Sequence, residues 1–438
     1  MNADRSKGAP LYASVFGQLK VRMLAAVILT VIQHPSAGAT NAMYRVSDNG
    51  HYLLGPNGQP FFWQGDSEWE LFYLLTVQDA KDLLQARKAQ GFTVIQAMCD
   101  GIFPKWVAAE KLPPVDQLMP WRDDNPLTPN EAFFKRMDAI VAAAQENHQV
   151  LLIGVYHVDD VSSKRITSAN VGGWTRWLAN RYKNAPNIIW SMYSAPEASS
   201  IPMVQAAVKG LEEGDGGAHL ITLHPEGMAG SSSFVHGELS LNTFQSLSGG
   251  HLNYELAQAD YTRTPPKPVI NGEALYEGDK GATSFDVRRS AWWSYLAGAA
   301  FSYGHIKNWS SPDSWREWVN APGAKQIEAA GKFLRSLAWW KLRPNQSILI
   351  EVGEAAAARS VDGDWILVYL PMSTSVTLEL DSITASKTIL ISWINPLDGE
   401  KLRVGVYPTS SRPRLTPPPG WQDAVLLAEA MAGSGTRL

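Results

Sequence analysis

The chain has 438 residues, 45% hydrophobic and 18% charged, which is the composition of a globular protein of two to three domains at roughly 150 residues each. The formal net charge of −4 and the absence of a basic run argue against nucleic acid as a partner. The single cysteine, Cys99, excludes an intrachain disulfide and a zinc site built from cysteines.

The first forty residues have the pattern of a secretory signal peptide. A short apolar run over residues 24–32 follows Lys20 and Arg22, and a small-x-small cleavage pattern ends at Ala39. This run is too short to span a bilayer, which requires about 20 residues. We therefore expect residues 1–39 to be removed, leaving a secreted or periplasmic protein without an integral membrane segment. The alternative is an N-terminal core helix.

Between residues 40 and 342, strands alternate with amphipathic helices. The predicted strands are Phe61–Asp66, Phe92–Met98, Gln149–Tyr156, Asn187–Tyr193, His219–His224, Leu241–Ser246, Pro268–Glu273 and Phe301–His305. The predicted helices run from Thr76 to Gly91, from Thr128 to Asn147, and over Gly173–Lys183, Pro202–Glu213, Leu252–Thr262, Val287–Ala299 and Gly323–Leu337. Eight apolar strands of this kind are typical of buried parallel strands, so the pattern predicts an α/β fold, a (β/α)8 TIM barrel.

Helical periodicity disappears from about Asn345 onward. Short segments of alternating hydrophobicity follow, and they predict a small antiparallel β-sandwich over residues 343–438. We expect this domain to pack against the barrel and stabilise it, and the alternative is a domain that binds glycan or collagen. The predicted strands are Ser347–Val352, Trp365–Leu370, Val376–Leu380, Ile389–Ile394 and Ala424–Leu427.

Catalytic residues of a (β/α)8 barrel lie at the C-terminal ends of its strands. Glu273 ends the seventh predicted strand and suits the nucleophile of a retaining glycosidase, because aromatic walls hold a sugar while the carboxylate attacks. The alternative is a structural glutamate paired with Arg288 or Arg289. The 17 tryptophans favour a site for ring-shaped ligands such as sugars. The residues predicted to bind substrate are Asp66, Trp69, His224, Gln245, Glu277, His305 and Trp309.

Three further polar residues, His157, Asp159 and Asp160, are a weak indication of a metal site. These residues do not supply a third convincing metal ligand, so the pattern favours a hydrogen-bonded loop. We expect neither a metal nor a cofactor. His224 and His305 fit buried structural histidines as well as hydrogen-bond donors to substrate.

Several long stretches of the chain resemble one enzyme family, the apiosidase-like glycoside hydrolases, family 140. They include the motif Asn-Gly-Glu that ends at Glu273, and they extend through the small C-terminal domain, which that family labels as collagen-binding. The resemblance implies a barrel, a retaining mechanism with Glu273 as nucleophile, and release of apiose-linked side chains from the pectic polysaccharide rhamnogalacturonan II. The stretches are residues 61–72, 91–97, 215–225, 260–273 and 286–289.

One position departs from the family pattern. After Asn187-Ile-Ile-Trp190 the family continues to an aspartate that acts as general acid/base, and here Ala195 occupies that position. Alanine cannot transfer a proton. Glu197 lies two residues further on, and we hypothesise that it replaces the missing acid, the alternative being an exposed loop glutamate.

Two functions follow from these observations. The first is a secreted retaining glycoside hydrolase acting on a plant-type polysaccharide or oligosaccharide, with Glu273 as nucleophile and Glu197 as displaced acid. The second is a catalytically impaired carbohydrate-binding protein on the same barrel. A retaining mechanism requires the two carboxyl groups to be about 5–5.5 Å apart.

Overall fold

The computed structural model describes most of the chain after the predicted signal peptide. Residues 1–39 lie outside the described part, as does the side chain of Trp309, so the structure says nothing of either. All the described residues belong to one unit, Asn41–Leu438. They are residues 43–100, 115–235, 237–310, 314–350 and 353–431.

Eight parallel strands form the barrel that the sequence predicts. Neighbours in the sheet follow the order β5-β4-β3-β2-β1-β8-β7-β6. Between β5 and β6 the gap is closed by the hydroxyl groups of Thr222 and Thr243, 2.8 Å apart, and by the short strand Ala229–Gly230, which is antiparallel to β6. The barrel strands are β1 Gln64–Ser67, β2 Val94–Met98, β3 Val150–Gly154, β4 Ile188–Ser194, β5 Ile221–Pro225, β6 Asn242–Gln245, β7 Val269–Glu273 and β8 Ala299–Tyr303.

A hairpin of short strands precedes the barrel, and helices follow most of its strands. Within the described ranges, no helix combines the length and the apolarity needed to cross a membrane. The hairpin strands are Arg45–Val46, Leu53–Leu54 and Pro60–Phe61. The helices are Val77–Ala89, Glu131–Glu146, Val158–Ser162, Val171–Tyr182, Ile201–Asp215, Leu252–Tyr261, Ser284–Leu296, Lys307–Ser310, Trp315–Trp318 and Pro322–Arg335.

Local side-chain chemistry sets where two of these helices begin. Thr76 caps the first helix, as predicted, by accepting a hydrogen bond from the amide of Asp79. The start of the second helix differs from the prediction. Thr128 donates its hydroxyl to the carbonyls of Arg122 and Asn125 in the preceding turn, so Asn130 becomes the N-cap residue instead.

One helix ends earlier than its apolar pattern predicts. The helix expected to reach Ala299 stops at Leu296, and Ala299 is already the first residue of β8. Gly298 makes the turn between them with φ of +87°, and a Cβ there would lie 2.5 Å from the ring of Tyr261. Only glycine fits such a position, because it tolerates positive φ and close approach.

The C-terminal domain is a six-stranded antiparallel sheet with a small second layer, which confirms the predicted sandwich. Along its central strand Trp365, Leu367 and Tyr369 pack with barrel residues, whereas Ile366 and Val368 face the second layer. The six strands, in sheet order, are Leu342–Pro344, Ala356–Ser360, Trp365–Leu370, Ala424–Ala430, Thr388–Ile394 and Lys401–Pro408. The second layer contains the pair Val376–Thr377 and Arg414–Leu415.

The strand predicted over Ser347–Val352 is wrong in its described part. Residues Gln346–Ile348 form a 3₁₀ turn, because the side chain of Asn345 accepts a hydrogen bond from the amide of Ser347 and bends the chain. The strand Ala356–Ser360 was not predicted, because its small side chains give little alternation of hydrophobicity.

A buried ion pair joins the barrel to the C-terminal domain. Arg288, in the helix Ser284–Leu296, donates to both carboxylate oxygens of Asp423, at 3.0 and 2.7 Å, and both side chains are almost fully buried. Tyr369 donates a third hydrogen bond to Asp423 at 3.0 Å, and its ring stacks on Trp292. Two parallel hydrogen bonds of this type fix orientation as well as distance.

Candidate active site

Strand β7 brings Glu273 to the C-terminal end of the barrel. The residue before it, Gly272, packs against β5 and β6 so closely that a Cβ would lie 2.6 Å from Cγ2 of Thr243 and 3.0 Å from Cδ2 of His224. The carbonyl of Gly272 also accepts a hydrogen bond from Gln96 on β2, across the barrel. The glycine of the Asn-Gly-Glu motif is therefore required by packing around the carboxylate.

Neutral hydrogen-bond donors surround the carboxylate of Glu273. Tyr193, on β4, donates to Oε2 at 3.2 Å, and Gln245, on β6, donates to the hydroxyl of Tyr193 at 3.0 Å. Tyr276 forms a further hydrogen bond with Glu273, and the indole of Trp69 donates to the hydroxyl of Tyr276 at 2.7 Å. Two tyrosines, each held by a second residue, thus orient one carboxylate.

The electrostatic environment favours the protonated form of Glu273. Burial raises the pKa of this carboxyl to about 7, and the negative charge of Asp279 adds to the shift. Hydrogen bonds from Tyr193, Tyr276 and Gln245 act in the opposite direction and lower the pKa. The side chain keeps 13% of its surface exposed, so a ligand can reach it.

The structure argues against the alternative that Glu273 pairs with an arginine. Arg288 binds Asp423 of the C-terminal domain, and Arg289 binds the carbonyl of Gly249 and the carboxylate of Asp286. Both arginines are thus engaged elsewhere. A carboxylate near the opening of a barrel, with only neutral donors among its described neighbours, has the features of a reactive group rather than of a structural ion pair.

Aromatic and imidazole rings form the wall beside Glu273. His224 lies with Nε2 3.4 Å from Oε2 of Glu273, and its ring stacks on Tyr193 at 4.4 Å. Burial lowers the pKa of His224 to about 3, so its imidazole is neutral and forms no ion pair with the glutamate. The buried indole of Trp69 meets the rings of both Tyr193 and His224 edge-on. Of the predicted binding residues, Trp69, His224 and Gln245 are therefore brought to Glu273.

Asp66 is not brought to Glu273. Its side chain is fully buried, and Oδ2 accepts a hydrogen bond from Arg87 at 2.6 Å, an ion pair inside the barrel wall. This burial disfavours the predicted contact with a sugar hydroxyl, because the carboxylate already binds a cation away from solvent.

Glu277 and His305 also serve contacts within the protein. Glu277 accepts from the hydroxyl of Tyr303 at 2.6 Å and from the amide of Gly323, near the start of the helix Pro322–Arg335. A carboxylate at a helix N-terminus is favoured by the helix dipole. His305 stacks on Trp318 at 5.5 Å, and the backbone of His305 bridges to Glu277. These contacts favour a structural role for both residues.

The helix Lys307–Ser310 carries Trp309 near the end of β1. The neighbouring side chain of Asn308 donates a hydrogen bond to the carbonyl of Ser67, the last residue of that strand. The backbone of Trp309 is therefore anchored at the C-terminal end of the barrel. Its predicted role in substrate binding stays a prediction.

Glu197 lies in the loop after β4 and is exposed. Its Oε1 accepts a hydrogen bond from the hydroxyl of Ser199 at 2.6 Å, and within the described residues no hydrogen bond connects it to Glu273. The backbone amide of Glu197 donates to the carbonyl of Ala195, which places both residues in one tight turn. Its role as acid stays a prediction.

The group His157, Asp159 and Asp160 forms a helix cap. The imidazole of His157 accepts from the amide of Asp159, Asp160 accepts from the amide of His157, and Asp160 also pairs with Arg165 at 3.3 Å. The predicted hydrogen-bonded loop agrees with these contacts. In the described part of the chain, no three His, Cys, Asp or Glu side chains are arranged to hold a metal ion.

Neither of the two tyrosines that bind Glu273 was among the residues predicted for the site. Tyr193 stands at the C-terminal end of a predicted strand, and Tyr276 follows Glu273 by three residues, so both positions were open to inspection. The sequence carries little indication of this role, because a tyrosine at a strand end usually belongs to the core. The contact between the ends of β4 and β7 across the barrel is also not visible in the sequence.

Leu247, two residues after β6, has an unusual backbone conformation. Its φ is +47°, and its amide donates to the backbone carbonyl of Glu273 at 3.4 Å, alongside the amide of Ser246 at 2.9 Å. Left-handed backbone in a branched residue costs on the order of 1–3 kcal/mol and persists only where the surroundings impose it.

Two protein families match the chain. Residues 47–341 match the family described as "Apiosidase-like, catalytic domain", and residues 344–429 match the one described as "Putative collagen-binding domain of a collagenase". The first match covers the whole barrel, including all the residues around Glu273. No curated protein sequence matches the chain.

Solved structures with the same fold extend over both parts of the chain. One, named "Glycoside hydrolase", is 23% identical, with a TM-score of 0.77 over 89% of this chain and 97% of its own. Another, a glycoside hydrolase family 5 protein from Bacteroides vulgatus ATCC 8482, is 22% identical, with a TM-score of 0.79 over 89% of this chain and 94% of its own. At these identities the similarity establishes the fold.

Proposed function

The chain belongs to the family of apiosidase-like catalytic domains, and from that premise we propose that it is a retaining glycoside hydrolase acting on an apiose-containing plant-type polysaccharide or oligosaccharide. The observation that carries the proposal is the environment of Glu273. A partly exposed carboxylate stands at the C-terminal end of a barrel strand, oriented by Tyr193 and Tyr276, and no Lys or Arg of the described ranges forms an ion pair with it.

In this mechanism Glu273 is the nucleophile. Its carboxylate attacks the anomeric carbon, the bond to the leaving oxygen breaks, and water then hydrolyses the glycosyl-enzyme. Tyr193 and Tyr276 hold the attacking carboxylate in position, and their hydrogen bonds favour its ionised form against burial. The rings of Trp69, Tyr193 and His224 are buried and pack against one another beside the carboxylate, and in this proposal they form the rigid apolar floor of the sugar site.

The proposed acid is Glu197, the first carboxylate after β4. In this proposal its exposed side chain leaves Ser199 and turns toward the leaving oxygen when substrate binds. A Glu197→Gln variant tests the assignment, since general acid/base groups contribute about 10²–10⁴-fold. Wild-type rates for this variant on a glycoside with an alkyl leaving group contradict the role.

The central experiment replaces the nucleophile. Glu273→Gln is expected to lower kcat/KM by on the order of 10⁴-fold or more, as removal of other nucleophiles does. A fluorinated glycosyl reagent should label Glu273 covalently in the wild-type protein. The matched control is Glu212→Gln, on the outer surface of the helix Ile201–Asp215, which should leave activity unchanged. Hydrolysis by Glu273→Gln at the wild-type rate, or labelling elsewhere, overturns the proposal.

A second candidate function is carbohydrate binding without hydrolysis. Two observations favour it, namely Ala195 at the end of β4 and the local hydrogen bond that Glu197 makes with Ser199. Under this alternative the protein binds its glycoside with equal affinity in the wild-type and Glu273→Gln forms, and no covalent adduct accumulates. The labelling experiment therefore separates the two functions.

The proposed location is outside the cytoplasm, with residues 1–39 acting as a signal peptide. Support comes from the apolar run and the cleavage pattern in the sequence. N-terminal sequencing of the protein recovered from the culture medium or periplasm should begin at Thr40. Recovery in the cytoplasm with Met1 intact contradicts this proposal.

A further inference from the structure

We infer that Leu247 and Met228 form an apolar contact surface for an aromatic leaving group of the substrate, an inference that rests on the proposed role of Glu273. Both side chains lie beyond the C-terminal ends of barrel strands, Leu247 after β6 and Met228 after β5. They are 44% and 66% exposed. Apolar side chains left exposed beside a reactive group gain free energy when a ligand covers them.

The backbone of Leu247 is tied directly to Glu273. Strand β6 ends at Gln245, which pairs with Glu273 in the sheet, and the amides of the next two residues both donate to the carbonyl of Glu273. The position of Leu247 is thus fixed relative to the peptide that carries the carboxylate.

The conformation of Leu247 indicates that its side chain is needed. Among the described non-glycine residues with positive φ, Leu247 is the only apolar one, and the others are aspartates, lysines, a glutamine and a histidine. Asparagine adopts this conformation at lower cost than leucine. Strained residues cluster at ligand sites, where the surrounding structure holds them in place.

The backbone beside Met228 pairs with the end of β6. It directly precedes the short strand Ala229–Gly230, in which Ala229 pairs with Gln245. Since neighbouring strands are about 4.8 Å apart, Met228 lies roughly two strand spacings, about 10 Å, from β7. Leu247 and Met228 therefore border Glu273 on its β6 side, where a group attached to the sugar at the scissile bond finds an apolar surface.

An aromatic leaving group also fits the chemistry of the site. The hydrogen-bond partners of Glu273 are two tyrosines and a glutamine, and the proposed acid, Glu197, is hydrogen-bonded to Ser199, so a leaving group that depends little on an acid is favoured. When Glu273 attacks the anomeric carbon, the bond to the aryl oxygen breaks and its electron pair leaves on a phenolate. The conjugate phenol has a pKa near 10, against about 16 for water, so the phenolate requires little protonation. Water then cleaves the glycosyl-enzyme and its proton passes to the phenolate, giving free sugar and phenol.

The test compares 4-nitrophenyl apioside with methyl apioside. Leu247→Asn removes the apolar surface and keeps a residue that accepts positive φ, so the fold is retained. It should lower kcat/KM for the aryl compound about tenfold, and Met228→Gln about threefold, with the methyl compound changed less than twofold. The matched control is Leu397→Asn, a leucine of similar exposure in a turn of the C-terminal domain, which should change neither.

Binding measured on the Glu273→Gln background separates this inference from the proposed function. There, Leu247→Asn should raise the dissociation constant of the aryl apioside about tenfold and leave that of the methyl apioside unchanged. Equal effects of Leu247→Asn on both compounds, or no effect on either, overturn the inference. Full hydrolytic activity of Glu273→Gln overturns the proposed function instead, and the binding comparison still reports on the apolar surface.

Discussion

Two carboxylates, the partly exposed Glu273 at the open end of the barrel and the buried Asp423 at the boundary with the C-terminal domain, have opposite surroundings. Asp423 accepts two hydrogen bonds from Arg288 and one from Tyr369, so its negative charge is matched by a buried positive one. Glu273 accepts hydrogen bonds from Tyr193, Tyr276 and Gln245, all of them neutral, and the nearby Asp279 adds negative charge. One carboxylate contributes to joining two domains, whereas the other is kept reactive at a cost in stability.

The aromatic residues differ between the two regions in the same way. At the boundary, Trp292 and Trp293 are fully buried and pack against Tyr369, so they serve the core. Beside Glu273, the hydroxyl groups of Tyr193 and Tyr276 bind the carboxylate itself. The abundance of tryptophan, which favoured a sugar site in the sequence, is thus in large part a property of the core.

The largest effect on stability is expected from breaking the ion pair. Asp423→Asn leaves Arg288 buried without a negative partner and should lower the free energy of unfolding by about 3–5 kcal/mol. Denaturant unfolding of the wild-type protein and the variant measures this loss of stability. The control Asp82→Asn removes one partner of the exposed Arg316 and should cost much less, because exposed ion pairs contribute little to stability. Similar losses of stability in Asp423→Asn and Asp82→Asn would show that the buried ion pair contributes no more than an exposed one.

For Glu273 we expect the opposite change, a gain in the free energy of unfolding when the carboxylate is replaced. Its pKa is raised in the folded protein from 4.5 to about 7, so the folded state holds the proton more tightly than the unfolded state. Ionisation therefore costs stability progressively as pH rises from about 4.5 through 7, and the full cost is present above 7. Glu273→Gln should raise the free energy of unfolding by about 1–3 kcal/mol at pH 8 and by much less at pH 4.

Unfolding curves at the two pH values measure this difference. Glu277→Gln is the matched control, because its carboxylate accepts hydrogen bonds from Tyr303 and from the amide of Gly323. That variant should be destabilised rather than stabilised. Stabilisation of Glu273→Gln that is equal at both pH values contradicts the raised pKa.

The same pKa sets the expected pH dependence of activity. The nucleophile must be ionised, so kcat/KM should increase with pH through an apparent pKa of about 7, with a tenfold loss for each pH unit below it. Initial rates on an aryl glycoside over pH 4–9 measure the profile. A limb near pH 4.5 contradicts the assignment of Glu273, with its raised pKa, as the nucleophile.

The smallest effect, a shift of the pH profile, is expected from replacing Tyr193, one of the two tyrosines that bind Glu273. Tyr193→Phe removes a hydrogen bond that lowers the pKa of Glu273, so the acidic limb of the profile should move upward by up to about one pH unit. The control Tyr303→Phe removes the hydroxyl bound to Glu277 and should leave the limb in place. An equal displacement in both variants would indicate a general loss of packing rather than loss of this contact.

Much of the fold was predictable because it depends on local patterns. The eight strands and most helices follow from apolar periodicity and from capping residues such as Thr76. The errors fall where one side chain redirects the backbone, as Thr128 and Asn345 do, or where a single glycine, Gly298, ends a helix. Such choices depend on individual hydrogen bonds and contacts that a pattern of hydrophobicity does not record.

For the candidate site, the sequence by itself determined the identity and the strand-end position of Glu273, because a (β/α)8 pattern places strand ends together. It did not determine what lies around that carboxylate. Only the tertiary structure decided that Arg288 serves Asp423, that Asp66 and Glu277 bind groups of the protein, and that Tyr193 and Tyr276 hold Glu273. Apart from the contact between Tyr276 and Glu273, which are three residues apart, these contacts join residues that are distant in the chain. Hydrogen-bond geometry and burial, not spacing in the sequence, therefore select the partners.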